Sequence, residues 1–403
     1  MKVDINKVIL QGALQVLKPY TGTGKFALDK YVSMEAFDDN GQPKLKIMTV
    51  NAIDSCEVTI DAAAVTPGLC PLIEFDRFKK LIDSLDAPVI DIDADDAQNP
   101  NKVLLSWLGN AEPITLIGVD RVGFPTFPEV TVNSSLWIPF DLLKQGIDIA
   151  GAIVNINENF PLYNCINVTI TPTTLLFESI DSKERRMIVY EIEHNLQTIT
   201  PGTFLVEHSQ LNKITSLNVN TNAQVNIETT DNGILFSIDQ FKVYSRAISL
   251  NFPDCMALIP TSFATVLEFD RQDMMAILER AKILADDKAK ICHIKITSSI
   301  NTPGVLDVIE ISAESAYGSM KEYVMHRNFS GKEAEYTFKI DSLYEGLKKL
   351  NDANILWMFP STNMAVYKNA DTTKGFKHHY LTPMIRNAAP SQPTTKVKEN
   401  KDE

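Results

Sequence analysis

The chain has 403 residues, 44% of them hydrophobic and 22% charged, with a formal net charge of −13. That length favours two to four domains of roughly 100–200 residues, and the acidity argues against a protein that wraps nucleic acid with its whole surface. No run approaches the roughly 18 apolar residues of a membrane span, and the opening MKVDINKVIL has no signal-peptide core or cleavage site, so a cytoplasmic protein with no membrane partner is expected.

In chain order, residues 5–18 carry Leu10, Ala13, Leu14 and Leu17 at i, i+3, i+4 and i+7, an apolar helix stripe. VSMEAFDDNGQPKLKIMTV alternates around Asn40-Gly41 and predicts a hairpin. FDRFKKLIDSL predicts a helix over 74–86, whose stripe Phe78, Leu81, Leu85 leaves Arg77 and Lys80 together on another side. GFPTFPEV (123–130) ends the pass with prolines that a central strand would not carry.

The order then begins again. Leu143, Gly146, Ile147 and Ala150 form the stripe of a helix over 139–152, INVTITPTTLLFESI reads as strands, and HSQLNKITSL as a helix over 207–218. AQVNIETTDNGILFSID predicts a hairpin around Asn232-Gly233, with glycine supplying a positive φ, and NFPDCMALIP (251–260) closes as a rigid apolar turn. A third pass gives a helix over 270–285 with Met274, Ile277, Leu278 and Ala281, the strands of HIKITSSINTPGVLDVIEIS, a helix over 341–352, and YLTPMIR. The polar NAAPSQPTTKVKENKDE that follows has the composition of a disordered tail.

The first helix recurs at Leu10, Leu143 and Met274, and the second at Leu85, Leu217 and Leu350, with nearly the same step along the chain each time. Two independent helices keeping one period make a threefold repeat. Modules are expected at 1–132, 133–260 and 261–386, with the tail at 387–403. Each reads as two helices backed by antiparallel strands, an α+β fold.

Several tempting motifs fail. TGTGKF has Pro19 where a phosphate loop needs glycine and Phe26 where it needs a hydroxyl. DIDADDAQNPNK has Asp96 at the sixth and Lys102 at the twelfth position of a calcium loop. His378-His379 point to opposite faces of a strand and read as an exposed strand end rather than a metal site. The other histidines, His194, His208, His293 and His326, sit in no catalytic context. Cys56, Cys70, Cys165, Cys255 and Cys292 are widely spaced and read as reduced structural thiols. No enzyme activity, metal or cofactor is expected.

On this repeat, SRAISLNFPDCMALIP, NENFPLYNCINVTI, SAESAYGSMKEYV and YLTPMIR, in that placement, resemble segments of the bacterial sliding clamps, the DNA polymerase III beta subunit family. The resemblance covers roughly 1–386. It departs at IDSKERRMIV, two residues longer than the family's pattern, which leaves Arg185 and Arg186 both open and makes Met187 the leucine equivalent. It departs again at Ala257, at Thr382, and in the added tail.

The resemblance implies three repeated clamp modules and a ring formed by a head-to-tail homodimer, joined through Ile114 and Leu116 of one chain and Ile283 and Leu284 of the other. It implies a processivity factor that encircles double-stranded DNA without reading sequence, installed by a clamp loader. DNA polymerase and repair proteins carrying Gln-Leu-x-Leu-Phe peptides would dock in a cleft of Leu162, Tyr163, Arg186, Met187, Pro253, Leu258, Met364, Val366, Pro383 and Met384. Cations facing the hole would be Lys25, Arg77, Lys80, Lys144, Lys213, Arg280 and Lys348. The alternative is a structural or interaction protein built from such modules that encircles no DNA.

Overall fold

The structure, a computed structural model, describes residues 1–385 apart from 23–27, 95–98, 129–131, 156–158, 196–198, 221, 286–288, 351, 372 and 374. Lys25 and the tail at 387–403 lie outside the described residues. Two compact units emerge: one of Met1–Gly151, Ile156–Phe177 and Ile192–Phe252, the other of Ala152–Asn155, Glu178–Glu191 and the chain from Pro253 on.

The helices are α1 (Lys7–Leu17), α2 (Phe75–Ser84), α3 (Phe140–Ala150), α4 (His208–Thr215), α5 (Cys255–Leu258), α6 (Arg271–Leu284) and α7 (Ile340–Lys348). Asn6 starts α1 by accepting from the backbone N–H groups of Val8 (2.9 Å) and Ile9 (3.3 Å), and Leu10, Ala13, Leu14 and Leu17 are buried. Each buried leucine contributes roughly 1.5–3 kcal/mol. In α2 the inward set is Phe75, Phe78 and Ile82. The period running from Phe75 puts Leu81 on the half-exposed flank, which corrects the expected stripe.

The early strands are β1 (Lys2–Asn6), β2 (Tyr31–Asp39), β3 (Gln42–Val50), β4 (Asp54–Asp61), β5 (Ala64–Thr66), β6 (Gly68–Leu69), β7 (Ile73–Glu74), β8 (Val89–Asp93), β9 (Lys102–Ser106) and β10 (Ile114–Ile117). Then come β11 (Ser134–Pro139), β12 (Cys165–Ile170), β13 (Thr174–Asp181), β14 (Arg186–Glu193), β15 (Gly202–Glu207), β16 (Gln224–Thr229), β17 (Gly233–Ile238) and β18 (Phe241–Arg246).

In the first unit one antiparallel sheet runs β10-β9-β8-β1-β5 and another runs β11-β16-β17-β18-β4-β3-β2-β6. The second sheet joins strands of the first two repeats through the β18–β4 pair, with Phe241 opposite Val58 and Ser245 opposite Asp54. The β2–β3 turn has Asn40 at φ 53° and Gly41 at φ 87°, as an Asn-Gly hairpin requires. The β16–β17 turn differs. Gly233 has no positive φ there; a Cβ on it would stand 2.3 Å from the Ser245 carbonyl oxygen, so close approach of β18 is what requires glycine.

The last strands are β19 (Thr265–Asp270), β20 (Ile291–Thr297), β21 (Val308–Ser315), β22 (Gly318–Gly331), β23 (Ala334–Lys339), β24 (Asn354–Phe359), β25 (Met364–Asn369) and β26 (Phe376–Pro383). In the second unit the order is β14-β26-β25-β24-β19-β22-β21-β20-β23. Its core is aromatic: Trp357 lies 5.7 Å from Phe269, 5.6 Å from Phe338 and 5.2 Å from Tyr367, ring centre to ring centre.

Candidate functional site

The two repeat junctions are built alike and charged oppositely. Strands β4 and β14 begin at Asp54 and Arg186, and helices α4 and α7 carry Lys213 and Glu345. The step along the chain from Asp54 to Arg186 equals the step from Lys213 to Glu345, so the two pairs occupy equivalent places in successive repeats. In the first unit Asp54 is buried and ion-paired with Lys213, whose ammonium also lies 5.1 Å above the Tyr20 ring. Asn51 fixes the turn, its side-chain oxygen accepting from the N–H groups of Ile53 (2.9 Å) and Asp54 (3.0 Å). Burial pushes the Asp54 carboxyl above its ordinary range, with Lys213 pulling the other way.

In the second unit Arg186 is buried, its Nε and Nη2 donating to Asp181 Oδ2 at 3.1 and 2.7 Å and its Nη1 to Glu345. Arg185 is exposed, at φ 54° in the turn before the strand. Both Lys213 and Arg186 were expected to meet ligands. Both are instead engaged with protein carboxylates.

Of the other expected cleft residues, Met364 and Pro383 are paired across β25 and β26, and the Met384 N–H donates to the Asn363 carbonyl at 2.9 Å. Met364, Pro383 and Met384 are half-buried, and β26 adjoins β14. Val366 and Met187 are buried at 0% and 5% exposure, so they back the surface rather than line it. Pro253 and Leu258 are exposed, the one just before the helical turn α5 and the other at its end. That turn went unread in the sequence: Asp254 caps it, accepting from the Ala257 N–H at 3.0 Å. Leu162 and Tyr163 belong to the first unit, in a 3₁₀ turn (Pro161–Asn164), and are half-buried.

The remaining expected cations sit on helices. Lys80, Lys144 and Lys348 are exposed, with no ion pair among the described residues. Arg77 pairs with Glu74 at 2.8 Å, and Arg280 makes a two-pronged contact with Glu322 of β22.

Ile283 is 79% exposed at the end of α6, beside half-exposed Leu284. In the same unit, residues 318–325 of β22 pair only with β21, and their other edge is open among the described residues. In the first unit β10, carrying half-exposed Ile114 and Leu116, is likewise a sheet edge, paired among the described residues only with β9. Unpaired edges of this kind are templates for a further strand.

His378 and His379 are buried at 2% and 9% exposure, which corrects the expected exposed strand end: β26 is central, with β14 and β25 on its flanks. All five cysteines are buried free thiols, with burial pushing Cys70, Cys165 and Cys292 up to about 12. No helix among the described residues is long and apolar enough to cross a membrane, and they hold no cluster suited to a metal.

Helix pairs recurring at one period, backed by antiparallel sheets with open edges in both units, define a clamp-type α+β fold. Residues 256–384 match the family model of the DNA polymerase III beta subunit, C-terminal domain. The chain is 25% identical over 251 residues to the beta sliding clamp of Staphylococcus aureus (strain Mu50 / ATCC 700699) and 26% over 253 residues to that of Bacillus subtilis (strain 168). Each match covers 61% of this chain and 63% of the relative. In fold, it superposes on the DNA polymerase sliding clamp of Bacillus subtilis with TM-score 0.81 at 20% identity, and on the DNA polymerase III subunit beta of Pseudomonas aeruginosa with TM-score 0.80 at 17%. Both superpositions cover 96% of this chain and 100% of the other. Residues 256–384 are thus similar to the C-terminal domain of the DNA polymerase III beta subunits, and the fold of the chain is similar to that of the solved sliding clamps.

Proposed function

We propose that the chain is a DNA sliding clamp, a non-enzymatic processivity factor that closes as a head-to-tail homodimer around duplex DNA. The observation that carries this reading is the pair of open strand edges, β10 in one unit and residues 318–325 of β22 in the other. Strands β4, β14 and β22 begin at Asp54, Arg186 and Gly318, equal steps apart along the chain. The first pairs with β18 and the second neighbours β26, while residues 318–325 of the third pair only with β21 among the described residues, an edge we assign to a strand from another copy. Ile114, Leu116, Ile283 and Leu284 supply apolar surface at that junction. A closed symmetric pair leaves neither edge exposed.

Held topologically, DNA needs no tight contacts. Lys80, Lys144 and Lys348 are the cations we assign to the hole, meeting phosphates without reading bases. Polymerase and repair partners dock short peptides of the Gln-Leu-x-Leu-Phe type at Leu258, Met364, Pro383 and Met384, where methionines repack around different ligands. A clamp loader opens the ring. The test is retention on DNA: loaded with its loader, the protein should stay on a nicked circle and leave within minutes once the circle is linearised. Equal release from circle and line would refute encirclement and favour the interaction-module alternative.

A further inference from the structure

We propose that the first unit carries a second peptide-docking site, at the start of β4, for an extended segment that places an apolar anchor beside an acidic group. The inference deepens the docking reading above and rests on it. A cavity of about 380 Å³ opens there, lined by the β3–β4 turn with Ile53, by Pro125 and Pro128, by the β16–β17 turn, and by Tyr244 and Arg246 at the end of β18.

Each wall repeats a wall of the Met384 site. β4 matches β14 one repeat later, and β18 lies beside β4 as β26 lies beside β14. The facing residues Gly233 and Arg246 stand where Met364 and Pro383 stand in the later pair of strands. The proline segment GFPTFP (123–128) takes the place of NFPDCMALIP. A repeat that preserves the strands, the turn and the proline wall preserves the groove between them.

Charge selects the occupant. Asp54 is matched by Lys213, and Asp231 accepts from Asn133 Nδ2 at 3.0 Å. Arg246 is exposed, and its guanidinium has no hydrogen bond or ion pair among the described residues, so it is the open cation of the cavity. A planar guanidinium takes a carboxylate in a two-pronged, charge-assisted contact. An adjoining hollow of about 330 Å³ shares Val50, Ala52 and Pro125 with the first and adds Leu28 and Gly123, a place for a leucine or phenylalanine side chain.

The full chain should be titrated calorimetrically with the peptide Gln-Leu-Asp-Leu-Phe. Two binding events per chain are expected. Arg246→Glu should weaken one of them at least tenfold and spare the other, and Ile53→Asp, a separate lesion on the same rim, should do the same. Met384→Ala should weaken only the other event. A single event that Met384→Ala removes would overturn the second site and leave the Met384 docking reading standing. A single event removed by Arg246→Glu would support this pocket and sink the reading at Met384. An Arg246→Glu titration identical to wild type overturns the proposal, as does tenfold tighter binding at this site on deleting 387–403, which would make the chain's own tail the occupant.

Discussion

A basic side chain on a helix facing a predicted hole invites a ligand-binding reading, and at Lys213 the surroundings redirect it. Its ammonium lies over Tyr20 and against a carboxylate with no exposure of its own. Residue spacing shows which side chains share a face but not which of them meet a partner from another strand, which is why Lys213 and Arg186 read as open cations. His379 escaped the sequence for a related reason: a strand's place in its sheet, not its local pattern, decides whether its end is covered. Burial, with Lys368 and Lys377 nearby, lowers His379 from its ordinary 6.5 to about 4. The unfolded chain therefore takes up this proton as pH falls through 6.5, while the folded chain does so only near 4. Stability contributed by the neutral ring is full above 6.5 and is lost toward 4. The loss amounts to about 2–3 kcal/mol by pH ~4.5. Urea unfolding at pH ~7 and ~4.5 should show His379→Asn losing that much less than wild type over the interval; an identical loss would show that the buried ring does not govern it.

At the scale of elements, the helices and the repeat were legible because apolar periodicity is local. The helix stripes and the Asn40-Gly41 hairpin needed no tertiary information. The hairpin at Asn232-Gly233 was placed rightly, but Gly233 opens β17 and is required for a different reason, since the close approach of β18 cannot be seen from the hairpin's own residues. The junction pairs, Asp54 with Lys213 and Arg186 with Glu345, join a strand of one repeat to a helix of the next with the charges exchanged. A contact kept in position while its polarity inverts implies that pairing, rather than either sign, is what each junction needs. Removing one partner of a buried pair typically costs about 3–5 kcal/mol because the other is left uncompensated. Lys213→Glu alone should thus destabilise by several kcal/mol, about the scale of such a loss. Adding Asp54→Arg, which copies the polarity of the later junction, should recover more than about 1 kcal/mol relative to the sum of the single changes. Strict additivity in a denaturation cycle would show that the two side chains do not interact.

At the scale of the whole molecule, the resemblance that marked the clamp lay in a few segments, while the edges that would close a ring became visible only in the sheets. Strand order is a long-range property, and the sequence around Ile114 or Tyr323 does not announce that the far side of its strand is open. Leu284 lies in the same unit as one of these edges, and a carboxylate there would have to lose its water on closure, an unfavourable burial of unpaired charge. Leu284→Asp should therefore give folded monomers where the wild type is dimeric. The most direct test of a chain that closes around DNA is sedimentation mass combined with particle images of the purified protein at low micromolar concentration. The account predicts a species of twice 44.9 kDa that images as a closed ring with a central hole wide enough for a duplex, and its loss in Leu284→Asp. A wild type that stays at 44.9 kDa, or a dimer without a hole, would contradict it.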